Sequence, residues 1–210
     1  MRSLKRKKAI LWVPVLLMLT VVLLFVAIRI EPDLWGYARS VSAAEEVLRN
    51  RVVDTATTWL GCNEKENTHR PIIDLYNSHM PLARGYAVQY DDAWCSTFVS
   101  AVAIACDLTD IIPTECGCER QIELFMELNA WEEEDTYLPL PGDCIFYHWG
   151  CTSAGDCDHW SDHVGIVVGT WNGWIKVVEG NKDEAVRYRW LRVGSRQIRG
   201  YGIPDYANMK

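Results

Sequence analysis

The sequence predicts an α+β domain carried behind one membrane-spanning segment. Three observations lead there. Apolar residues recur at helical spacing from about residue 42 to residue 128, whereas after Pro139 they alternate in the manner of strands. Helices first and strands second give segregated layers with an antiparallel sheet, not alternating βαβ units. Finally, Ala9 to Ile28 is a run of 20 residues without a charge. As a helix rising about 1.5 Å per residue it spans roughly 30 Å, the thickness of a bilayer core.

Arg2, Lys5, Arg6, Lys7 and Lys8 precede that run. Basic residues stay cytoplasmic, so the chain is expected to run from N inside to C outside. A cleaved signal peptide has a shorter apolar stretch, about 7–15 residues, with small residues soon after it. Here Arg29-Ile30-Glu31-Pro32 follows instead, and an uncleaved single-pass anchor in the cell membrane is expected. The organisation read from sequence is a cytoplasmic tail (1–8), an anchor (9–29), a linker and helix start (30–46) and a domain (47–210).

Within the domain, Ser42-Ala-Ala-Glu45 is a capping box. It opens a helix with Leu48, Val52, Ala56 and Trp59 on one face, closed by Gly61. Pro71 suits the first turn of a short helix over Ile72–His79. Cys95 to Asp107 is apolar on nearly every side, as a buried central helix is, with Asp91 and Asp92 as capping candidates. A further helix after Pro113-Thr114 carries Ile122, Phe125, Met126 and Leu128. Strands are expected at Asp143–His148, His163–Gly169, Trp174–Glu179, Ala185–Val193 and Ile198–Ile203. Asn172-Gly173 marks the hairpin between the second and third.

Composition narrows the function. The 210 residues are 49% hydrophobic, enough for a packed core and too apolar for a disordered chain. The net charge of −7 conceals an asymmetry: residues 1–30 hold six of the 21 Lys and Arg and none of the 28 Asp and Glu. The remainder has 15 basic against 28 acidic residues, a net of −13. So acidic a domain is not a nucleic-acid binder.

Three residue types point to chemistry. Cys95 begins a helix, where free N–H groups and the positive dipole end favour a thiolate. His163 begins a strand, and Glu179-Gly-Asn181 ends its partner. A cysteine, a base and a polar group to orient the base, in that chain order, form the set a nucleophilic cysteine needs. The motifs Asp-Ala-Trp-Cys95-Ser-Thr-Phe-Val-Ser, Pro141-Gly-Asp143, Ser-Asp-His163-Val-Gly-Ile-Val and Val-Glu179-Gly-Asn181 make the pattern specific. Over roughly Val52 to Tyr206 the sequence resembles the CHAP family, the cysteine, histidine-dependent amidohydrolases/peptidases of cell-wall turnover. The resemblance implies a papain-like fold and cleavage of an amide bond in peptidoglycan. It also implies Cys95 as nucleophile, His163 as base, and Glu179 and Asn181 as further active-site polar residues.

Register constrains the third residue. A two-residue Asn-Gly loop pairs Trp171 with Trp174, which sets His163 opposite Lys182 and turns Glu179 to the other face. A three-residue loop, Trp171 to Gly173, instead sets His163 opposite Asn181 with Glu179 diagonal on the same face. The three-residue loop is therefore expected.

Gln89 is a candidate oxyanion donor beside the N–H of Cys95. Trp94, Trp149 and Trp160 are candidate substrate-binding aromatics. Cys151 and Cys157 bracket a short loop and form the best disulfide candidate; Cys116 and Cys118 cannot readily bond to each other and are open to pairing elsewhere, with Cys62 for instance. The spacing of Cys151, Cys157, His159 and His163 is not that of a zinc finger and would sequester the base, so no metal ligands are assigned. No cofactor is expected; calcium at Asp156, Asp158 and Asp162 is a weaker reading, because the stretch lacks dense alternating carboxylates. The leading reading is a membrane-anchored cysteine hydrolase of peptidoglycan, either an N-acetylmuramoyl-L-alanine amidase or a stem-peptide endopeptidase. The alternatives are a catalytically silent wall-binding module and a cysteine amidase or protease acting on a non-wall peptide.

Overall fold

The structure, a computed structural model, describes residues 41–151 and 160–209. The tail and anchor expected at 1–29 lie outside the described residues. Among the described residues no helix is long and apolar enough to cross a membrane.

Helix α1 (Ala43–Thr58) begins as its sequence requires, with the Ser42 hydroxyl accepting from the Glu45 N–H at 3.1 Å. Val52 and Ala56 are fully buried, with Leu48 and Trp59 packed beside them. Two charged residues are buried on the same helix. Arg49 donates to Glu45 (2.9 Å), to Asp143 (2.8 Å) and to the Pro141 carbonyl (2.9 Å), and lies 4.5 Å from the centre of the Tyr206 ring. These bonds fasten α1 to the turn that leads into the sheet, and they give the Pro-Gly-Asp motif a structural task.

Helix α2 (Arg70–Ser78) has Pro71 in its first turn and buries Ile72, Ile73 and Tyr76. Helix α3 (Cys95–Ala105) is buried continuously from Cys95 to Ala103. Neither Asp91 nor Asp92 caps it. Trp94 occupies the cap position without a side-chain bond, and Asp92 instead accepts from the Gln89 N–H and the Tyr86 hydroxyl. Helix α4 (Cys118–Glu127) buries Cys118, Gln121, Ile122 and Phe125, while Met126 and Leu128 stay largely exposed.

The strands are β1 (Trp131–Glu132), β2 (Cys144–Tyr147), β3 (His163–Trp171), β4 (Trp174–Lys182), β5 (Ala185–Arg192) and β6 (Ile198–Gly202). They form one antiparallel sheet in the order β1-β6-β2-β3-β4-β5. Sequence periodicity misses only β1, which is too short to alternate. One face of the sheet joins the main core with the helices. The other carries a smaller cluster of Ile145, Tyr147, Val167, Ile175, Val177, Ile198 and Tyr201.

The β3–β4 hairpin corrects one expectation. Trp171 pairs with Trp174 across a two-residue Asn172-Gly173 turn, both residues left-handed (φ 51° and 74°). The three-residue loop is not formed. The register instead shifts between Val167 and Gly169: Gly169 pairs with Lys176, but Val167 pairs with Val177 and Ile166 with Val178. Val168 is the extra residue of a β-bulge. Beyond it, the ladder stands in the register that the site needs.

Candidate active site

Four strands contribute a row of side chains to one face of the sheet. Tyr147 on β2 pairs with His163 at the start of β3, and their rings stack at 5.9 Å. Glu179 on β4 reaches diagonally to His163, Oε2 to Nε2 at 3.2 Å. Arg189 on β5 donates from Nε to the other carboxylate oxygen of Glu179 at 2.6 Å. Glu179 is fully buried, so each of its oxygens has a cationic or cation-forming partner where water does not reach. Gly165 makes room for this, because a Cβ there would lie 2.7 Å from the Glu179 Cγ.

Helix α3 brings Cys95 to the end of this row. Its thiol feels His163 through both hydrogen bonding and charge, and the Val164 backbone also favours the thiolate. The largest influence comes from a residue that sequence reading overlooked. Cys118, the first residue of α4, has its Sγ 3.5 Å from that of Cys95. The hydrogen bond from Cys118, followed by His163, outweighs burial and holds the Cys95 thiol well below its ordinary value of 9.0. Cys118 is shifted the opposite way, well above 9.0, by that same bond, by burial and by the charge on Cys95. It is the proton-bearing donor of the pair. Burial lowers the pKa of His163, but the bonds to Cys95 and Glu179 prevail and push it up to about 9. For Glu179 burial acts upward, and His163 with Arg189 more than compensates, so its carboxyl lies below the usual value. The shifts of both groups favour a thiolate beside an imidazolium, with Glu179 and Arg189 behind them.

The loop before α4 is built to place Cys118. Glu115 is buried, and its Oε1 accepts from the N–H groups of Cys116 and Gly117 and from Arg84 Nε. Ser96 and Ser100 on α3 both donate to the Glu115 carbonyl. On the far side of α4's first turn, Glu119 accepts from the Ser161 N–H, two residues before His163.

The chain matches no protein-family model, no curated protein and no solved structure.

The other expected site residues divide. Trp149 is in place: it is 38% exposed, stacks on Tyr147 at 5.0 Å, lies 5.8 Å from the His163 ring and has Arg189 over it at 4.6 Å. Trp94 is not a groove residue. It is fully buried, donates from Nε1 to Glu64 (2.8 Å) and packs on His69. Trp160 is 75% exposed; its carbonyl, not its ring, is engaged, by His148 Nδ1 at 2.7 Å. Gln89 is exposed, and its hydrogen bonds go to Ala87 and Asp92 rather than to Cys95 or His163.

Asn181 borders the same cleft as His163 but does not orient it. Its left-handed backbone (φ 54°) and the register shift between Glu179 and Lys182 turn it toward the helix. There its amide, oriented to satisfy both ends, accepts from the Trp94 N–H at 3.0 Å and donates to Glu64 Oε1 at 3.3 Å. Asn181 thus takes the N–H one residue before Cys95. That of Cys95, in the first helical turn, has no intrahelical acceptor.

Cys151 is disulfide-bonded, and Cys157, the partner expected for it, lies outside the described residues, as do Asp156, Asp158 and His159. Cys62, Cys116 and Cys118 are free thiols, so the pairing considered for them is not formed. Asp162 accepts from the Trp149 N–H (2.8 Å) and contacts His148 Nδ1 (3.0 Å), which places it as a brace of the Trp149 loop.

One cleft, of about 220 Å³, is lined by Trp149, His163, Asn181, Lys182, Asp183 and Arg189. Another, of about 400 Å³, is lined by Arg84, Tyr86, Val88, Asp92, Ala93 and Cys116; Ala93 and Cys116 stand two residues before Cys95 and Cys118 in the chain.

Proposed function

We propose that the protein is a cysteine hydrolase of amide bonds with a papain-like arrangement of its site, acting on peptidoglycan from a membrane anchor at residues 9–29. The observation that carries the catalytic part is the meeting of Cys95 with His163, whose Nε2 is held by buried Glu179, in surroundings that lower the Cys95 thiol and raise the His163 imidazole. A binding module has no use for that charge arrangement, which burial opposes at every member. The wall substrate rests on the motifs around Cys95, His163 and Glu179.

The chemistry follows from the geometry. The thiolate attacks the amide carbonyl carbon, and the carbonyl oxygen becomes an oxyanion near the free Cys95 N–H. With Nε2 engaged by Glu179, His163 has Nδ1 to serve the reaction. It protonates the departing amine as the C–N bond breaks and a thioester forms. Neutral His163 then takes a proton from water, whose oxygen attacks the thioester and restores the thiolate and the acid product.

Purified peptidoglycan incubated with the full-length chain, followed by mass analysis of the products, tests this. Stem peptides free of amino sugar would mean an amidase, and opened cross-bridges an endopeptidase. Cys95→Ser should release neither. Undiminished release by that variant would remove Cys95 as nucleophile, and no release by the wild type would remove the wall as substrate. A haloacetamide probe separates catalysis from silent binding, because a thiolate at Cys95 reacts ahead of the other thiols at pH 7.

A further inference from the structure

The thiol beside the nucleophile has a second consequence. Cys95 and Cys118 face each other at an Sγ–Sγ distance of 3.5 Å, each at the first position of a helix. A disulfide needs about 2.05 Å, so the two sulfurs need approach by only about 1.5 Å. Both residues are buried, 7% and 8% exposed, so an oxidant that reaches them is as small as a peroxide. The partner is also held in reach: α4 begins there because Glu115 folds the preceding loop against Ser96 and Ser100 of α3.

We propose that Cys95 and Cys118 are an oxidative modification site, at which a peroxide converts the nucleophile and its neighbour into a reversible intramolecular disulfide. The proposal rests on Cys95 being the reactive thiolate of the site. The thiolate sulfur attacks one peroxide oxygen. The O–O bond breaks, and the departing hydroxide takes the His163 proton and leaves as water. Cys95 is then a sulfenic acid. The negative charge that kept Cys118 protonated is gone, so the Cys118 sulfur attacks that of Cys95. The S–O bond breaks, and the second hydroxide leaves as water with the Cys118 proton. In sum, two thiols and one peroxide give one disulfide and two waters, the thiols losing the two electrons that the peroxide gains. A small dithiol reverses the change by exchange. The disulfide occupies the nucleophile and shields it from further oxidation.

The test treats full-length protein with hydrogen peroxide, alkylates the remaining thiols, cleaves after acidic residues and analyses the fragments by mass. Cleavage at Asp92, Asp107, Glu115 and Glu119 separates Cys95 from Cys118. Wild type should give a linked fragment pair, lighter than the two free fragments by two hydrogens. The link should persist in Cys106→Ser and Cys116→Ser, whose thiols share those fragments, and be lost in Cys118→Ser. That last variant keeps a hydroxyl donor beside Cys95. Its nucleophile should therefore still be oxidised, but past sulfenic to sulfinic acid, which thiols do not return. After dithiothreitol, wild type should regain about nine-tenths of its Cys95 labelling and Cys118→Ser less than about one-tenth. Accumulation of sulfinic Cys95 in wild type, or a link that Cys116→Ser abolishes and Cys118→Ser retains, would overturn the proposal. Fragment masses need no substrate. A chain that forms the link but leaves peptidoglycan intact therefore refutes the wall reading alone, and one that digests peptidoglycan without forming the link refutes only the pairing.

Discussion

Cys95, Cys118, His163 and Glu179 form a chain of charge in which each member is set by the next. The proposed activity therefore requires Cys95 deprotonated and His163 protonated. As pH falls, activity is lost when the thiolate takes up a proton, well below 9.0. As pH rises, it is lost when His163 gives up its proton at about 9. The profile of kcat/KM should be a bell with its alkaline limb near pH 9. Glu179→Gln removes a charge that supports the imidazolium, so the alkaline limb should move to lower pH while the acid limb moves less. An alkaline limb unmoved in that variant would mean that Glu179 does not act on His163. Cys118→Ala removes the donor to the thiolate, and the acid limb should move up. A hydrogen bond to a charged group is worth about 1.5–3 kcal/mol, which at 1.36 kcal/mol per unit is roughly one to two pH units. Cys118→Ser should restore most of that shift, which a merely space-filling role for Cys118 would not predict.

At the level of elements, helices were readable because their apolar residues carry the period of the structure they form. Val52 and Ala56 are buried a turn apart on α1, whereas β3 and β4 are buried on both faces over most of their length and were readable from their runs of β-branched residues rather than from alternation. That Cys95, His163 and Glu179 come together was readable for a related reason: Cys95 starts a helix, His163 starts a strand and Glu179 lies near the end of the neighbouring strand, where sequence signals cluster. What could not be read depends on long-range return of the chain. Cys118 meets Cys95 only because the loop over 107–117 folds back on α3, and no local pattern records that. Arg189 was hidden for a similar reason. The two-residue turn at left-handed Asp183 and Glu184 pairs Lys182 with Ala185, which in an unbroken ladder sets Glu179 opposite Tyr188; only the register shift between Glu179 and Lys182 sets it opposite Arg187, with Arg189 diagonal on the same face. The spacing of Gly165 from Glu179 gives a prediction at this scale. Gly165→Ala places a Cβ 2.6 Å from Val177 Cγ1 and 2.7 Å from Glu179 Cγ. Overpacking of this kind costs about 1–3 kcal/mol. Chemical denaturation should show that loss, and kcat should fall further than the fraction unfolded explains, because Glu179 must move to admit the methyl group.

For the domain as a whole, the joint between α1 and the sheet is a buried charge network. Arg49 is 2% exposed and holds two carboxylates that are 4% and 0% exposed, on α1 and in the turn before β2. A buried charge network of this kind adds little against an apolar replacement, but breaking it from one side leaves charge stranded in the interior. Arg49→Met should lower the unfolding free energy by about 3–5 kcal/mol, measured by denaturant titration. The site lies across the domain from no single anchor: its members come from two helices and four strands. Loss of this joint should therefore appear first as a lower midpoint of unfolding, with the pH profile of the folded fraction unchanged. A profile shifted in step with stability would show instead that α1 tunes the site directly.

The bulge at Val168 separates two things that a hairpin usually locks together. A strand has a parity, and one residue gained or lost between His163 and Glu179 would ordinarily swing the base to the wrong side of the sheet. Here the surplus residue sits between the tip and the site, and it absorbs the mismatch. The tip at Asn172-Gly173 is thereby released from the chemistry. The end of this hairpin is where the domain can accept a change in length, in nature or by design, while the face that carries His163 and Glu179 stays in phase.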